Sequence, residues 1–241
     1  MRKDPLSLIR PLIVVLVVFM AVQSVQAQIV NESTRKKFSI GVGMFTDIWN
    51  NVPSYKTGVG DLEHKFDQRT INQGFQAVAL YNVPFGRSPL GFSIGLGFRA
   101  ENLFVKDAYL KSTRDSTYFV HVPDSIHVIR NKIALPYIEV PVEFYFKSKI
   151  KLVAAIGFKV AYMFPAHTKY VGENYNYYSP DKYRAKFREL KNMETFSYGP
   201  TLRIGYRWFN VFGYYSISKI FQRDKGPDLY PISVGFILMP Y

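Results

Sequence analysis

The strictest pattern in the chain is the alternation of residues 90–101, in which large apolar side chains take every second position. The even-numbered members from Leu90 to Phe98 are leucine, isoleucine or phenylalanine, whereas the odd-numbered members are glycine, serine, arginine or glutamate. A period of two places successive side chains on opposite sides of an extended strand. Bulky apolar groups on one side and very small or charged groups on the other fit a wall with lipid outside and a crowded polar interior. This is the pattern of a transmembrane β-barrel.

The N-terminal segment has the order of features of a secretory signal peptide. Basic residues at positions 2, 3 and 10 flank the start of an apolar run from Leu12 to Val22, and Val25 and Ala27 fit a cleavage site. We therefore predict a cleaved signal peptide at residues 1–27 and a periplasmic tail at residues 28–36. The apolar run has 11 residues, which disfavours a retained helical anchor because a helical span needs about 18 or more. Any membrane crossing by the mature chain is expected to use strands.

Eight segments of the mature chain alternate over the length that a tilted membrane strand requires. They are residues 37–48, 73–83, 90–105, 132–147, 150–164, 195–208, 210–221 and 230–241. Their connections alternate between short and long, and the long or moderate ones are residues 49–72, 107–130, 165–194 and 222–229. This rhythm predicts an all-β fold over residues 37–241. We expect an eight-stranded antiparallel up-and-down transmembrane β-barrel of the outer membrane, with long extracellular loops and short periplasmic turns.

A soluble lipocalin-like barrel has the same strand count but the opposite orientation of its faces. It would place the apolar row of residues 90–98 inside and expose Gly91, Gly95 and Gly97 to water, where glycine weakens a strand. Inside a narrow barrel the same glycines make room for larger neighbours. The composition is 17% aromatic, which also fits aromatic belts at the two membrane interfaces. The sequence therefore favours lipid on the outside.

The inward-facing rows carry a cluster of charges: Arg99, Glu139, Lys159 and Arg203, with Glu101, Glu143 and Arg207 nearby. Counted from the short-turn end, Arg99, Glu139 and Lys159 fall at similar heights on three consecutive strands. A carboxylate between two cations keeps buried charges ionised at a tolerable desolvation cost. Because eight strands enclose a lumen only wide enough for side chains, we predict a structural plug of ion pairs. A conduction or proton path is the functional alternative.

The third long loop is the most distinctive surface element of the sequence. Residues 181–194 place Tyr183, Phe187 and Leu190 at helical spacing among basic residues, which predicts a short amphipathic helix. The residues that we single out as a candidate partner-docking loop are Tyr175, Tyr177, Tyr178, Lys182, Arg184, Phe187 and Arg188. The loop either folds over the barrel mouth or docks another envelope protein or lipopolysaccharide phosphates, and the two are compatible.

The sequence offers little for catalysis or cofactor binding. There is no cysteine, and the four histidines (His64, His121, His127 and His167) all fall in long loops. His121 and His127 lie near Asp124 and Ser125, which would be the material for a hydrolytic set, but no motif activates a nucleophile. We therefore expect no enzyme activity, no cofactor, no metal and no small-molecule substrate. The net charge of +13 falls to +11 without residues 1–27, and for an exported chain it points to anionic lipid or an acidic partner, not to nucleic acid.

Two stretches resemble a known family. Residues 135–141, followed by Gly157-Phe158-Lys159, resemble the Tyr-x-Glu-x-Pro strand pair of the Bacteroidota eight-stranded outer-membrane β-barrel family. The closing segment is more specific: residues 199–206, 208–210, 213–216 and 219–221 resemble the PorT (SprT) branch of that family. The likeness to the barrel family covers essentially the whole mature chain, whereas the likeness to the branch rests mainly on residues 131–241.

The resemblance implies a role in type IX secretion, which exports proteases, adhesins and gliding-motility proteins across the outer membrane. It supplies no catalytic residues. Because a plugged barrel of this size is too narrow for folded cargo, the expected role is to brace, assemble or dock onto the translocon. The expected partners are outer-membrane lipid, lipopolysaccharide and other type IX translocon subunits. The alternative is a general envelope barrel for adhesion, lipopolysaccharide contact or membrane integrity, followed by a small channel and a lipid A enzyme.

Overall fold

Long antiparallel strands form most of the protein. A computed structural model describes residues 37–51, 54–56, 63–65, 69–105, 108–122, 125–174, 179–188 and 190–240. The strands in these ranges are β1 Phe38–Asn50, β2 Ser54–Lys56, β3 Glu63–Lys65, β4 Gln73–Pro84, β5 Leu90–Phe104, β6 Ala108–Ser112, β7 Thr117–His121, β8 Val128–Lys147, β9 Leu152–Met163, β10 His167–Asn174, β11 Ser179–Arg188, β12 Phe196–Tyr206, β13 Phe209–Tyr215 and β14 Tyr230–Leu238. Within these ranges no helix has the length and apolarity that a membrane crossing requires. The predicted signal peptide and tail lie outside the described residues.

Eight of these strands close into a barrel. The ring runs β1, β4, β5, β8, β9, β12, β13, β14 and returns to β1, with every neighbouring pair antiparallel. The closing pair joins β1 to β14, with Asp47 opposite Ser233. Short turns at residues 85–89, 148–151 and 207–208 connect strands at one end of the ring, and the longer connections lie at the other. The predicted eight-stranded antiparallel barrel is confirmed.

The exposure pattern fixes which face of the wall is apolar. Leu96 on the outer row of β5 is 61% exposed, whereas Arg99 and Glu101 on the inner row are both 0% exposed. The same alternation holds along β9, where Ile156 is exposed and Lys159 is buried. A soluble barrel would show the reverse arrangement, because water would then cover the outside. The lipocalin-like alternative is therefore wrong, and the wall presents its apolar face outward, as a transmembrane barrel does.

Exposed aromatic side chains mark the two rims of the apolar wall. At the end with long connections, Tyr162 packs edge-to-face against Phe164 and against Phe196. At the end with short turns, Trp208 packs against Phe209. Aromatic rings prefer the level of the lipid headgroups, so these contacts indicate where the hydrocarbon layer begins and ends. Bacterial barrels keep their short turns in the periplasm, and by that rule we expect the long connections to lie outside the cell.

The last two predicted strands end earlier than the sequence pattern suggested. In the segment 210–221 the strand ends at Tyr215, although the Ser216 and Ile217 amides still donate to the neighbouring wall strands. Ile220 and Phe221 are buried beneath the long connections together with Leu229. The segment 230–241 forms a strand only to Leu238, and Tyr241 lies outside the described residues. In both segments the apolar residues after the strand end had suggested a longer strand.

The helix predicted for residues 181–194 is wrong. Ser179–Arg188 is a strand, β11, that pairs with β10, and β10 pairs in turn with the outer part of β8. Tyr183 and Phe187 fit a helix because they are four residues apart, but the same residues also fit a period of two, in which basic side chains take the even positions. Pairing with β10 decides between the two periods, since the β11 backbone from Lys182 to Arg188 then has a partner at each residue. The result is a three-stranded extension above the aromatic rim.

The mouth of the barrel is filled by an apolar cluster. Its buried members include Trp49, Leu103, Leu135, Phe221 and Leu229, which come from the wall and from the long connections. The β6–β7 hairpin lies over it and is tied to the connection before β14, because the Thr117 amide donates to the Lys225 carbonyl at 2.7 Å. Parts of the long connections therefore fold into the barrel mouth, whereas β10 and β11 extend the wall above the rim.

Candidate functional site

Arg99 lies in the middle of the lumen with 0% of its surface exposed. Its guanidinium pairs with the carboxylate of Glu101, and its Nε lies 3.1 Å from Oε2 of Glu139. The rings of Tyr137 and Tyr214 lie 4.5 and 4.8 Å from the guanidinium carbon. Two carboxylates and two ring faces therefore replace the water that an arginine loses on burial.

Glu139 sits between two cations. Besides Arg99, Nζ of Lys159 lies 3.0 Å from the same Oε2 atom, and it also lies 4.1 Å from the ring of Tyr214. A glycine makes room for this carboxylate, because a Cβ at Gly97 would lie 3.0 Å from Cγ of Glu139. The structure thus brings Arg99, Glu139 and Lys159 together, as their heights along the strands suggest.

Arg203 belongs to a second ionic group nearer the short turns. Its Nη2 donates to Oε2 of Glu143 at 2.6 Å, and its Nη1 donates to Oδ1 of Asn210 at 3.0 Å. Arg207 lies in the turn after β12 and is exposed. The four residues grouped by the sequence are therefore divided: Arg99, Glu139 and Lys159 form a triad, and Arg203 pairs separately with Glu143.

The triad and the buried groups around it, Glu101, Asp47, Tyr137 and Tyr214, form an ionic layer across the lumen. The sequence analysis did not identify three of these residues as members. Tyr137 and Tyr214 were not named as partners of the cations, and Glu101 was described only as a neighbour. Asp47 was omitted, although it is fully buried and accepts a hydrogen bond from Ser233 Oγ at 2.6 Å. The parity of β1 contains the signal, because Asp47 shares the inward row with the bulky Phe45. The rest of that row is Ser39, Gly41, Gly43 and Trp49, so Asp47 is its single acid.

Filled layers lie on both sides of the ionic layer. Towards the long connections is the apolar mouth cluster, and towards the short turns is a second apolar cluster formed by Phe45, Leu80, Phe212, Ile237 and Met239. Between the triad and the Arg203 pair lies a cavity of ≈ 40 Å³, which has room for a few water molecules. In the described residues the lumen is therefore a packed interior in which Arg99, Lys159 and Arg203 each lie against a carboxylate.

The candidate docking residues are divided by β11. Arg184 and Arg188 lie on the outward face of the strand, and Phe187 lies on the opposite face and is half exposed. Lys182 belongs to the same strand and pairs with Glu173 in register. The tyrosines at 175, 177 and 178 lie outside the described residues. Among the described residues, no three histidine, aspartate or glutamate side chains form a group that could hold a metal.

Comparison with known proteins identifies one sequence family. The model of the family described as "Outer membrane protein beta-barrel domain" matches residues 26–222, which include seven of the eight ring strands. Among curated proteins, no sequence relative matches the chain.

Solved structures of small barrels are similar to this chain at a low level. Ail, the attachment invasion locus protein of Yersinia pestis, has 12% sequence identity and a TM-score of 0.35, with 84% of this chain and 97% of Ail covered. The same protein in complex with the heparin analogue sucrose octasulfate has 11% identity and a TM-score of 0.35, with 84% and 97% covered. A major outer membrane protein from Thermus thermophilus has 11% identity and a TM-score of 0.35, with 84% and 98% covered. At these scores the likenesses carry no functional argument.

Proposed function

The chain belongs to the outer membrane protein beta-barrel domain family, and from this premise we propose that it is a non-enzymatic accessory or assembly component of type IX protein secretion. The proposal draws on the residues that resemble the PorT branch. Those residues lie in the wall of the barrel: 199–206 make up most of β12, and 213–215 end β13. A resemblance carried by wall residues favours a shared barrel and a shared environment.

The filled lumen is the observation that carries the proposal. Cargo cannot pass a barrel whose interior is occupied by paired charges between two apolar clusters. A secretion component of this design acts through the surfaces that it presents to its neighbours, which are the lipid-facing wall and the extension formed by β8, β10 and β11. Such a component would hold or assemble a larger translocon, which itself provides the passage.

Deletion of the chain from its own cell tests this role. We expect type IX cargo to disappear from the medium and accumulate in the periplasm, as measured by immunoblotting of both fractions. Complementation with the wild-type chain should restore export, and so should Gly213→Ala, because a Cβ at Gly213 meets no atom within 4 Å. Normal export in the deleted strain would contradict the proposal.

Co-purification in mild detergent supplies a second, independent measurement. A tagged wild-type chain extracted from native envelopes should bring down subunits of the type IX translocon, identified by mass spectrometry. An unrelated outer-membrane barrel carrying the same tag is the control. Recovery of no translocon subunit in repeated preparations would argue against a docking role.

A second candidate function is a general envelope barrel that contacts lipopolysaccharide or supports membrane integrity. The specific observation in its favour is a dense group of cations on the outward side of the extension above the aromatic rim. This function predicts that the deleted strain becomes sensitive to detergents and large antibiotics while type IX export continues. Loss of type IX export in the deleted strain therefore supports the first candidate function, and increased envelope permeability with normal export supports the second.

A further inference from the structure

The three-stranded extension carries a row of cations on one face. Lys169 in β10 lies directly opposite Lys132 of β8 on one side and Lys186 of β11 on the other. One step further out, Val171 lies between Arg130 and Arg184 in the same way. Because residues directly opposite each other share a face, these side chains point to the same side of the sheet. The cationic face is the set Arg130, Lys132, Lys169, Arg184, Lys186 and Arg188, with His167 at its inner end.

This face looks outward. Arg130 and Lys132 have the same parity along β8 as Ile138 and Val140, which are exposed on the lipid side of the wall. The opposite parity is buried against the mouth cluster, for example at Ile133. The cations therefore stand above the lipid-facing wall and take no part in the plug.

The cations of this face lack acidic partners among the described residues. Lys132 Nζ donates to Oδ1 of Asn102 at 2.9 Å, which is a neutral acceptor. Glu173 lies on the same face of β10 beyond Val171, but its Oε2 accepts from the His127 backbone amide at 2.9 Å. Like charges directly opposite each other destabilise a sheet. None of the contacts given for the described residues offsets this repulsion between the three strands.

Electrostatic crowding is visible in two groups at the inner end of the face. Partial burial lowers the pKa of Lys132, and Arg130, Lys169 and Lys186 lower it further. The pKa of His167 is lowered by burial and by the nearby cations in the same way. An anion placed among these side chains would relieve the repulsion that they exert on each other.

The face also has a shape that fits a ligand. Arg130, Lys169 and Arg184, with Ile129 and Val171, line a concavity of ≈ 280 Å³. This volume is just below the range of ordinary small-molecule pockets, about 300–1,000 Å³. Three cations converge on it from three different strands, and the sheet holds their backbones at fixed spacing.

The height of the face indicates the source of the anion. Tyr162 of the aromatic rim lies opposite Ile138 of β8. The innermost cation of the face, Arg188, lies in the row of His167 and Ala134, four residues further out along β8. At about 3.3 Å per residue and a strand tilt of roughly 40°, the face covers a zone some 10–20 Å above the rim. Phospholipid headgroups end below most of this zone, because the interfacial region adds only about 5–8 Å on each side of the hydrocarbon. The phosphorylated sugars of lipopolysaccharide extend through it.

We infer that the cationic face is a binding site for the phosphate groups of lipopolysaccharide in the outer leaflet around the barrel. Arg130, Lys169 and Arg184 are the central residues of this site. The inference deepens the second candidate function and rests on the extracellular position of the extension. It does not depend on the secretion role. The site holds the sugar–phosphate layer against the outside of the barrel, on one side of its circumference.

The test uses the full-length barrel in detergent and two probes, intact lipopolysaccharide and the same preparation stripped of its phosphates. We expect intact lipopolysaccharide to bind more tightly than the stripped form, with an affinity that falls as salt rises. The triple variant Arg130→Gln/Lys169→Gln/Arg184→Gln should bind intact lipopolysaccharide at least about tenfold more weakly, since three charge-assisted contacts are lost. Because these side chains stand at the surface, the variant is expected to fold, as checked by heat-modifiable migration in electrophoresis.

A matched control removes the same charge from the same end of the barrel. Lys111→Gln/Arg114→Gln/Arg223→Gln changes three exposed cations outside the cationic face and should alter the affinity by less than about twofold. The single variant Arg184→Gln, on the edge strand, should give an intermediate loss. An equal loss in the control triple variant, or equal binding of the two lipopolysaccharide forms, would overturn the inference.

Two further probes separate this ligand from other occupants of the face. If the barrel binds heparin but not lipopolysaccharide, the ligand is a soluble polyanion and the lipid assignment is overturned. If it binds an acidic protein but not lipopolysaccharide, the assignment is overturned as well. Type IX export is measured in the cells that carry the triple variant, and its result concerns the secretion role alone. Failure of the site and failure of the secretion proposal are therefore distinguishable.

Discussion

Arg99 of β5 and Glu139 of β8 are diagonal neighbours on the inner face of the wall, with 3.1 Å between Nε and Oε2, and both are almost completely shielded from water. The pair fixes the register of the wall. A slip of one residue in either strand would turn its inward row towards lipid, and a charged side chain at the middle of the bilayer is strongly unfavourable. The ionic layer therefore specifies this barrel against its nearest alternatives.

The first prediction concerns the carboxylate that both cations of the triad share. Glu139→Gln leaves Lys159 without its ion-pair partner and Arg99 with Glu101 alone. Removing one partner of a buried ionic group costs about 3–5 kcal/mol, and the free energy of unfolding should fall by that order. Urea unfolding in lipid vesicles, followed by tryptophan fluorescence, measures it.

The control for this variant is Asp228→Asn, which removes a carboxylate from the exposed Lys219–Asp228 pair. Its effect should be far smaller, because water screens an exposed ion pair. Equal destabilisation by Glu139→Gln and Asp228→Asn would contradict the proposed importance of the ionic layer.

The second prediction tests close packing against the inner face. A Cβ at Gly157 would lie 2.3 Å from the Val142 carbonyl oxygen and 2.9 Å from Cγ of Glu143, so the neighbouring strand must move. Gly157→Ala should cost about 1–3 kcal/mol of unfolding free energy, as overpacking does in a dense interior. Gly213→Ala, whose Cβ meets no atom within 4 Å, should be neutral or slightly stabilising. The idea fails if the two alanines have the same effect.

The third prediction tests the orientation of the wall. Ile94 lies near the middle of the exposed apolar row of β5, and Leu90 begins that row at the short-turn end. Ile94→Arg should lower the unfolding free energy by about 2–4 kcal/mol and Leu90→Arg by only about 0–1 kcal/mol, because the cost of a cation depends on its depth in the bilayer. Unfolding in lipid vesicles measures both. Equal, small effects would indicate that water and not lipid surrounds the row.

The alternation of the strands was sufficient to predict the barrel. Residues 90–101 predicted both the strand and its lipid-facing side, because glycine and charge on one face leave only one orientation that is free of cost. The segment 181–194 was misread for the opposite reason. Its apolar residues satisfy a helical period and a strand period equally well, and only the partner strand β10, which precedes it in the same long connection, distinguishes them.

The ionic layer could be predicted only in part. Counting along three strands placed Arg99, Glu139 and Lys159 at one height, because the short turns fix the register between neighbours. Pairing across the lumen was beyond such counting. The ring of Tyr214 reaches Arg99 from the opposite side of the barrel, and Asp47 meets Ser233 where the first and last strands close the ring. Such contacts depend on the closed geometry, which no local pattern encodes.

The most direct test of a closed barrel that acts through its outer surfaces is the electrical conductance of the purified protein in a planar lipid bilayer. The filled mouth, the paired charges of the triad and the apolar cluster near the short turns predict insertion without steady ion-conducting steps. Stable conductance steps that grow in proportion to salt concentration, obtained from protein free of other barrels, would contradict the account.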